Sequence, residues 1–184
     1  FNLDNKKIDF LLDEFIKNKV FHVILSGGEP LAKFDALCYA LQKLVSNNIS
    51  VSLNSNLMLA TPEKMSKLRD IGLDHALTSW FSYFPKETDF ITTYKGSYQK
   101  IVEGIKNTVK AGIRVSANTI VTQHNKDTIY DSGKFLHSLG VTQFFAHRVI
   151  PPAYDRKDKE KQHYITIKEA KKSLDELLRL KKDF

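Results

Sequence analysis

The periodicity of the apolar residues constrains the fold of this chain more than any other feature of its sequence. Six segments have apolar residues at helical spacing, and five shorter apolar runs between them are typical of strands. The predicted strands are residues 21–25, 49–53, 73–81, 113–121 and 141–150. Regular alternation of helices and strands predicts a parallel sheet with right-handed crossovers, and therefore the α/β class.

Capping residues mark several of the predicted helix ends. Thr61 is followed by a proline at the first helical position, and Gly72 ends the same helix. Asn125 is predicted to start a later helix. Thr166 and Glu169 have the spacing of a capping box and predict the start of the last helix.

Periodicity does not distinguish a barrel from a doubly wound sheet, but both folds bind ligands at the carboxyl ends of their strands. We therefore expect site residues in five segments, namely residues 26–30, 54–56, 79–81, 118–124 and 147–151. The first predicted element is a helix, whereas a parallel βα unit normally begins with a strand. A strand and its loop are therefore expected upstream of Phe1.

Charge and cysteine content narrow the functional classes. The net charge is +7, but the lysines are scattered and no nucleic-acid-binding motif accompanies them, so no nucleic-acid partner is predicted. Cys38 is the only cysteine, which excludes an intrachain disulfide and a cluster held by cysteines of this chain, and favours the reducing cytoplasm. No apolar run approaches the roughly 20 residues of a membrane span, so no membrane association is predicted.

The most specific local motif is Ser-Gly-Gly-Glu-Pro at residues 26–30, directly after the first predicted strand. Gly27 and Gly28 allow a ligand to approach the backbone, and Glu29 adds a carboxylate at the same edge. Carbonyl and carboxylate acceptors suit an ammonium group rather than a phosphate. The same residues fit equally well a tight turn with a solvent-exposed glutamate.

With its flanking residues, VILSGGEPLAKFDAL, this motif resembles the radical S-adenosylmethionine (SAM) superfamily, in which GGEP ends the second barrel strand. Asn54, Ser55 and Asn56 stand where that family has a TNG-like motif. Ser79 stands near a serine that commonly contacts the ribose or carboxylate of SAM. Residues 95–105 resemble the family's GSF-type helix start, and residues 115–125 its fifth strand.

The resemblance covers roughly residues 6–152 and is strongest to the branch of molybdenum-cofactor enzymes and SPASM-type maturases. It implies an open, TIM-like partial (β/α) barrel. Residues 1–152 would be the central part of that barrel, without its first strand and cluster loop, and residues 153–184 a loop and a helix packed on it. The implied cofactor-binding residues are Gly27, Gly28, Glu29, Pro30, Asn54, Ser55, Ser79, Asn118 and Arg148.

The function implied by the resemblance is that of an oxidoreductase or maturase, which reductively cleaves SAM on a 4Fe-4S cluster to make a 5′-deoxyadenosyl radical. That radical would abstract hydrogen from a small-molecule or peptide substrate, with an electron donor such as flavodoxin or ferredoxin. The family's CxxxCxxC cluster ligands are absent, so this chain alone is expected to be inactive and to hold no metal. The family's arginine after the fourth strand is not found either, and Lys95 nearby cannot give its bidentate contact.

Two other functional hypotheses fit parts of the sequence. A barrel without a cluster could bind a peptide or an acidic partner through its basic face, and a cysteine triplet encoded before Phe1 would exclude this. A phosphate-binding barrel enzyme would need a glycine-rich loop near the last strands, but residues 146–153 contain no glycine. The aromatic residues Trp80 and Phe81 could line a substrate cavity or cover the core.

Overall fold

The computed structural model describes residues 5–148 and 164–183. Within these residues, five strands alternate with seven helices and one short 3₁₀ helix. In chain order they are α1 (Asn5–Lys17), β1 (His22–Leu25), the 3₁₀ helix (Pro30–Lys33), α2 (Phe34–Val45), β2 (Ser50–Asn54), α3 (Pro62–Ile71), β3 (His75–Ser79), α4 (Pro85–Thr92), α5 (Ser97–Lys110), β4 (Arg114–Val121), α6 (Ile129–Ser138), β5 (Gln143–Arg148) and α7 (Ile167–Asp183).

The strands form one parallel sheet in the order β1-β2-β3-β4-β5, which confirms the predicted α/β class. In register, Val23 pairs with Val51 and Asn118 pairs with Phe145. Among the strands of the described residues, the order never reverses along the sheet. A doubly wound sheet has such a reversal, and its ligand binds there, so that alternative is excluded.

The chain divides into two compact units. The first contains residues 1–78 and 103–115, and the second contains residues 79–102 and 116–184. In the first unit α2 packs against α1, α3 and β2. Its core contains fully buried side chains, among them Leu41, Leu44, Leu53, Met65 and Leu68. In the second unit α6 packs against α7 and β5. There Val121, Ile129 and Ile165 form a buried cluster.

Three of the predicted capping signals form the expected hydrogen bonds. Thr61 Oγ1 accepts from Lys64 N (3.3 Å), and Gly72 ends α3 with a φ of 124°. Glu169 N donates to Thr166 Oγ1 (3.2 Å), while Thr166 N donates to a carboxylate oxygen of Glu169 (2.8 Å). The capping box of α7 is therefore confirmed.

Two helix predictions were incomplete or wrong. α4 was not predicted, because its eight residues begin at Pro85 and include few apolar positions from which a stripe could be recognised. Asn125 does not start α6, which begins at Ile129. The Asn125 side chain is buried and accepts from Thr122 N (2.8 Å), so it closes the turn before the helix instead.

Only some of the remaining structural predictions concern residues that the structure describes. Cys38 is buried on α2 as predicted, and burial raises the pKa of its thiol. None of the described helices is long and apolar enough to cross a membrane. Residues 153–163 of the loop predicted at 153–164, and the end of the last predicted strand, lie outside the described residues.

Candidate functional site

The loop after β1 exposes its backbone at two glycines. Gly27 has a φ of 109° and Gly28 a φ of 26°, conformations that L side chains rarely adopt. A Cβ built on either glycine would meet no atom within 4 Å. Backbone geometry rather than crowding therefore favours glycine here, and the space beside the backbone is open to a ligand.

Glu29 connects the loops that follow β1 and β2. One carboxylate oxygen, Oε1, accepts from Ser55 Oγ (2.7 Å) and from Leu31 N (3.0 Å), and the other, Oε2, accepts from Asn56 N (3.0 Å). Through Leu31 it also caps the 3₁₀ helix. Glu29 is half-buried, so its interpretation as a solvent-exposed turn residue was wrong.

These contacts leave Glu29 able to bind one more donor. A carboxylate has about four acceptor positions, and three of those of Glu29 are used. Among the described residues Oε2 has one hydrogen-bond partner and therefore one position left, and Glu29 directly follows the open backbone of Gly27 and Gly28 in the chain. Carboxylate and carbonyl acceptors suit an ammonium group, and the binding of such a group here stays a prediction.

The segment after β2 carries the other predicted residues of the first unit. Asn54 is the last residue of β2 and is half-buried. Ser55 is buried, and its hydroxyl donates to Glu29 and accepts from Leu57 N (3.0 Å). Ser55 thus stabilises the conformation of the loop, a structural role that no sequence signal indicated. Asn56 Oδ1 closes the next turn by accepting from Met58 N (2.9 Å).

The second unit contains a cavity of about 540 Å³ at the end of β3. Its polar lining includes Ser79, Asn118 and His124. Its apolar walls come from five side chains, Trp80, Phe81, Phe90, Ile91 and Ile120. The cavity therefore suits a ligand with a flat apolar body and polar edges.

Two residues that line this cavity each have a buried side-chain polar atom without a hydrogen-bond partner among the described residues. These atoms are Asn118 Oδ1, an acceptor, and Trp80 Nε1, a donor. A buried polar group left unpaired costs about 1–3 kcal/mol. A ligand that supplied a donor to Asn118 would remove this cost, so Asn118 is the better supported of the two predicted cofactor residues here. Ser79, the other, is exposed at the end of β3.

Arg148 is the last described residue of β5 and is exposed. It pairs in register with Val121, three residues beyond Asn118 and so roughly 10 Å farther along the sheet. Its predicted contact with the cofactor stays a prediction.

Asp89 organises the segment where the family's arginine was expected. Its carboxylate accepts from Gly96 N (2.6 Å), Ser97 Oγ (2.9 Å) and Tyr98 N (3.1 Å) at the start of α5. The hydrogen bonds from the Gly96 and Tyr98 backbones lower the pKa of Asp89. Sequence reasoning missed this residue because no local signal links it to a helix that begins eight positions later. Lys95 is exposed in the same segment.

Replacing Asp89 with asparagine should lower the melting temperature at pH 7 by about 2–4 °C, because asparagine offers one acceptor oxygen to donors that now use two. The folded-state pKa of Asp89 lies below its ordinary value, so its charge stabilises the fold above that value. This contribution is lost as the pH falls through the folded-state pKa. The difference between the thermal melts of the two proteins should therefore persist from pH 7 to the ordinary pKa of 3.8 and shrink as the pH falls below it, with Asp70→Asn, an exposed position on α3, as the control. A difference that is constant with pH would contradict this.

No group of three His, Cys, Asp or Glu side chains in residues 5–148 and 164–183 is arranged to hold a metal ion. The single cysteine of the chain, Cys38, is buried in the core of the first unit. The described residues therefore do not fit a cysteine-held iron–sulfur cluster.

The chain is similar to a known superfamily and to several characterised proteins. A family model described as the Radical SAM superfamily matches residues 2–136. The PqqA peptide cyclase of Methylocella silvestris is 30% identical over 125 residues, which are 66% of this chain and 32% of that protein. The GTP 3',8-cyclase of Rhizobium etli is 28% identical over 141 residues, which are 74% of this chain and 40% of that protein. The chain thus spans well under half of each relative.

A solved structure of native anSMEcpe, with bound AdoMet (SAM) and the Cp18Cys peptide, has the same fold. It matches with a TM-score of 0.76 at 15% identity, covering 97% of this chain and 52% of that chain. At this identity the likeness shows the fold alone. That fold is the partial TIM-like barrel that the resemblance implied.

Proposed function

The chain belongs to the radical SAM superfamily, and on that premise we propose that it is the SAM-binding part of a radical SAM enzyme. Bound next to a reduced 4Fe-4S cluster, which would donate one electron, SAM would supply a 5′-deoxyadenosyl radical for hydrogen abstraction from a substrate. The residues of this chain bind and orient SAM. The cluster ligands would come from other parts of the enzyme, since Cys38 is buried and stands alone.

The observation that carries this proposal is the free acceptor position of Glu29, the residue that directly follows the exposed backbone of Gly27 and Gly28. We propose that these residues and Pro30 bind the methionine ammonium group of SAM. A charge-assisted hydrogen bond of this kind contributes about 1.5–3 kcal/mol. Asn54 and Ser55 are proposed to contact the cofactor from the neighbouring segment, where Ser55 also holds the loop through its hydrogen bond to Glu29.

In the second unit, Ser79 and Asn118 are proposed to bind the ribose or carboxylate of SAM. The unpaired Oδ1 of Asn118 supports this role, since a ribose hydroxyl is a suitable donor. Arg148 is proposed to contact the adenine or the substrate from the end of β5.

The proposed substrate is a peptide or a small molecule. A peptide is supported by the name of the PqqA peptide cyclase and by the peptide bound in the anSMEcpe structure. An electron donor such as flavodoxin or ferredoxin and a cytoplasmic location remain predictions. No observation favours the cluster-free binding module.

The proposed function is tested with the full-length gene product, reconstituted anaerobically with iron and sulfide. We expect cluster absorbance, and formation of 5′-deoxyadenosine from SAM on reduction. A colourless protein that binds no SAM would contradict the proposal.

Asn118→Leu should weaken SAM binding about tenfold or more, because it leaves a ligand donor unpaired. The same change should not lower the free energy of unfolding of the SAM-free protein, because it removes a buried acceptor that has no partner. Asn107→Leu is the matched control: Asn107 Nδ2 donates to Ala60 O (2.9 Å), so this variant should lose stability and keep its affinity. Equilibrium binding and urea unfolding measure both quantities. A destabilised Asn118→Leu variant with normal affinity would refute the assignment.

A further inference from the structure

The loop between β4 and α6, residues 122–128, forms one wall of the cavity in the second unit. It contributes Thr122, His124 and Asn125 to the lining. Backbone hydrogen bonds such as Lys126 N to Thr122 O (3.1 Å) form the turns of this loop, and side-chain contacts attach the loop to the elements around it. Whatever fixes this loop therefore also fixes part of the cavity.

Asn125 fixes the side of the loop that faces the core. Its side chain is 2% exposed and donates to Phe81 O (2.7 Å) and Ile120 O (3.0 Å). It also accepts from Thr122 N. These contacts hold one residue against β4, but they do not involve the side chains of Gln123 and Lys126 on either side of it.

The first turns of α7 hold those flanking residues. The Glu169 carboxylate accepts from Lys126 Nζ and from Gln123 Nε2, the latter at 3.2 and 3.3 Å for its two oxygens. Gln123 Nε2 also donates to Tyr164 O (2.9 Å). Ser173 Oγ, one turn further along α7, donates to Lys126 O (3.0 Å).

Among these contacts, the one between Glu169 and Lys126 joins two charged groups. The side chains of Lys126 and Glu169 are only 20% and 28% exposed, so solvent screens this ion pair less than an open surface pair. The capping box with Thr166 holds the carboxylate in place before it meets Lys126. The hydrogen bond from Lys126, followed by those from Thr166, lowers the pKa of Glu169 to about 2.

We propose that Glu169 is a positioning residue for the cofactor cavity, and that α7 holds the wall formed by His124 and Asn125 in the conformation that accepts the ligand. The identity of that ligand as SAM rests on the proposed function. Glu169 itself does not line the cavity, so it acts through Lys126 and Gln123.

The test compares two identical substitutions on one helix in the full-length protein. Glu169→Gln removes the charge that pairs with Lys126, while glutamine can still form the capping box with Thr166, so α7 should remain folded. Glu176→Gln is the control, because Glu176 accepts from Tyr130 N (3.1 Å) at the start of α6 and has no hydrogen bond to residues 122–128.

Two readouts do not depend on SAM. We expect faster amide hydrogen exchange across residues 122–128 in Glu169→Gln than in the wild type or Glu176→Gln. Trp80 is the only tryptophan of the chain and lines the cavity. Acrylamide should therefore quench its fluorescence more strongly in Glu169→Gln than in the wild type. SAM affinity, measured anaerobically by equilibrium binding, should fall about tenfold.

The outcomes separate the two proposals. Unchanged exchange and unchanged Trp80 quenching in Glu169→Gln would overturn the positioning role, whatever happens to SAM binding. If the loop opens but the wild-type protein binds no SAM, the positioning role is supported and the proposed function is wrong. Lys126→Met should reproduce the Glu169→Gln result from the other side of the ion pair, and its failure to do so would also overturn the role.

Discussion

Glu29→Gln is expected to weaken SAM binding about tenfold to a hundredfold and to lower the free energy of unfolding by about 1–3 kcal/mol. The first effect follows from the loss of a charged acceptor for the ligand's ammonium group. The second follows from the contacts of Glu29 within the chain. A glutamine whose carbonyl oxygen accepts from Ser55 and Leu31 must turn its amide donors toward the N–H of Asn56.

Thr61→Ala is the control for this variant. It removes the cap of α3 in the same unit, which should cost about 1 kcal/mol, and it changes none of the predicted ligand contacts. Chemical unfolding and anaerobic SAM binding are measured on both variants. If Glu29→Gln loses stability but binds SAM as tightly as Thr61→Ala, Glu29 serves only to connect the two loops. Unchanged stability would mean that the charge is not needed for those contacts.

Gly104→Ala is expected to lower the free energy of unfolding by about 3 kcal/mol, the upper end of the usual cost of overpacking. Gly104 lies in the buried face of α5, and a Cβ there would lie 2.0 Å from the carbonyl oxygen of Leu57. That oxygen belongs to the backbone of a buried residue with a φ of 58°, so it cannot move aside as a side chain would. The clash should outweigh the gain in helix propensity of about 1 kcal/mol.

Gly133→Ala in α6 is the matched control. A Cβ at Gly133 would also be too close to a neighbour, but that neighbour is the end of the Leu180 side chain, 2.1 Å away. A side chain can change rotamer, so we expect a clearly smaller loss of stability than for Gly104→Ala. Thermal and urea unfolding of the two variants decide the matter. Equal losses would show that the Leu57 backbone yields as easily as a leucine side chain.

Local signals in the sequence determined the class of fold and much of its order. Apolar periodicity is set by which face of each element is buried, so it revealed all five strands and six of the seven described helices. The caps at Thr61 and Thr166 bond to backbone groups within one helical turn. The residues that signal a cap are therefore close together in the sequence and can be recognised there. The GGEP motif was correctly placed at the end of β1 for the same reason.

Contacts between distant segments were decided only by the tertiary structure. Glu29 meets Ser55 and Asn56 across 26 and 27 residues, and Glu169 meets Lys126 across 43. Such pairs leave no periodicity in the sequence, because each partner satisfies its own local pattern whether or not the other is present. Asn125 was misplaced for this reason: a helix start and a buried turn residue have the same local signature, and only the packing of Asn125 against Phe81 and β4 distinguishes them.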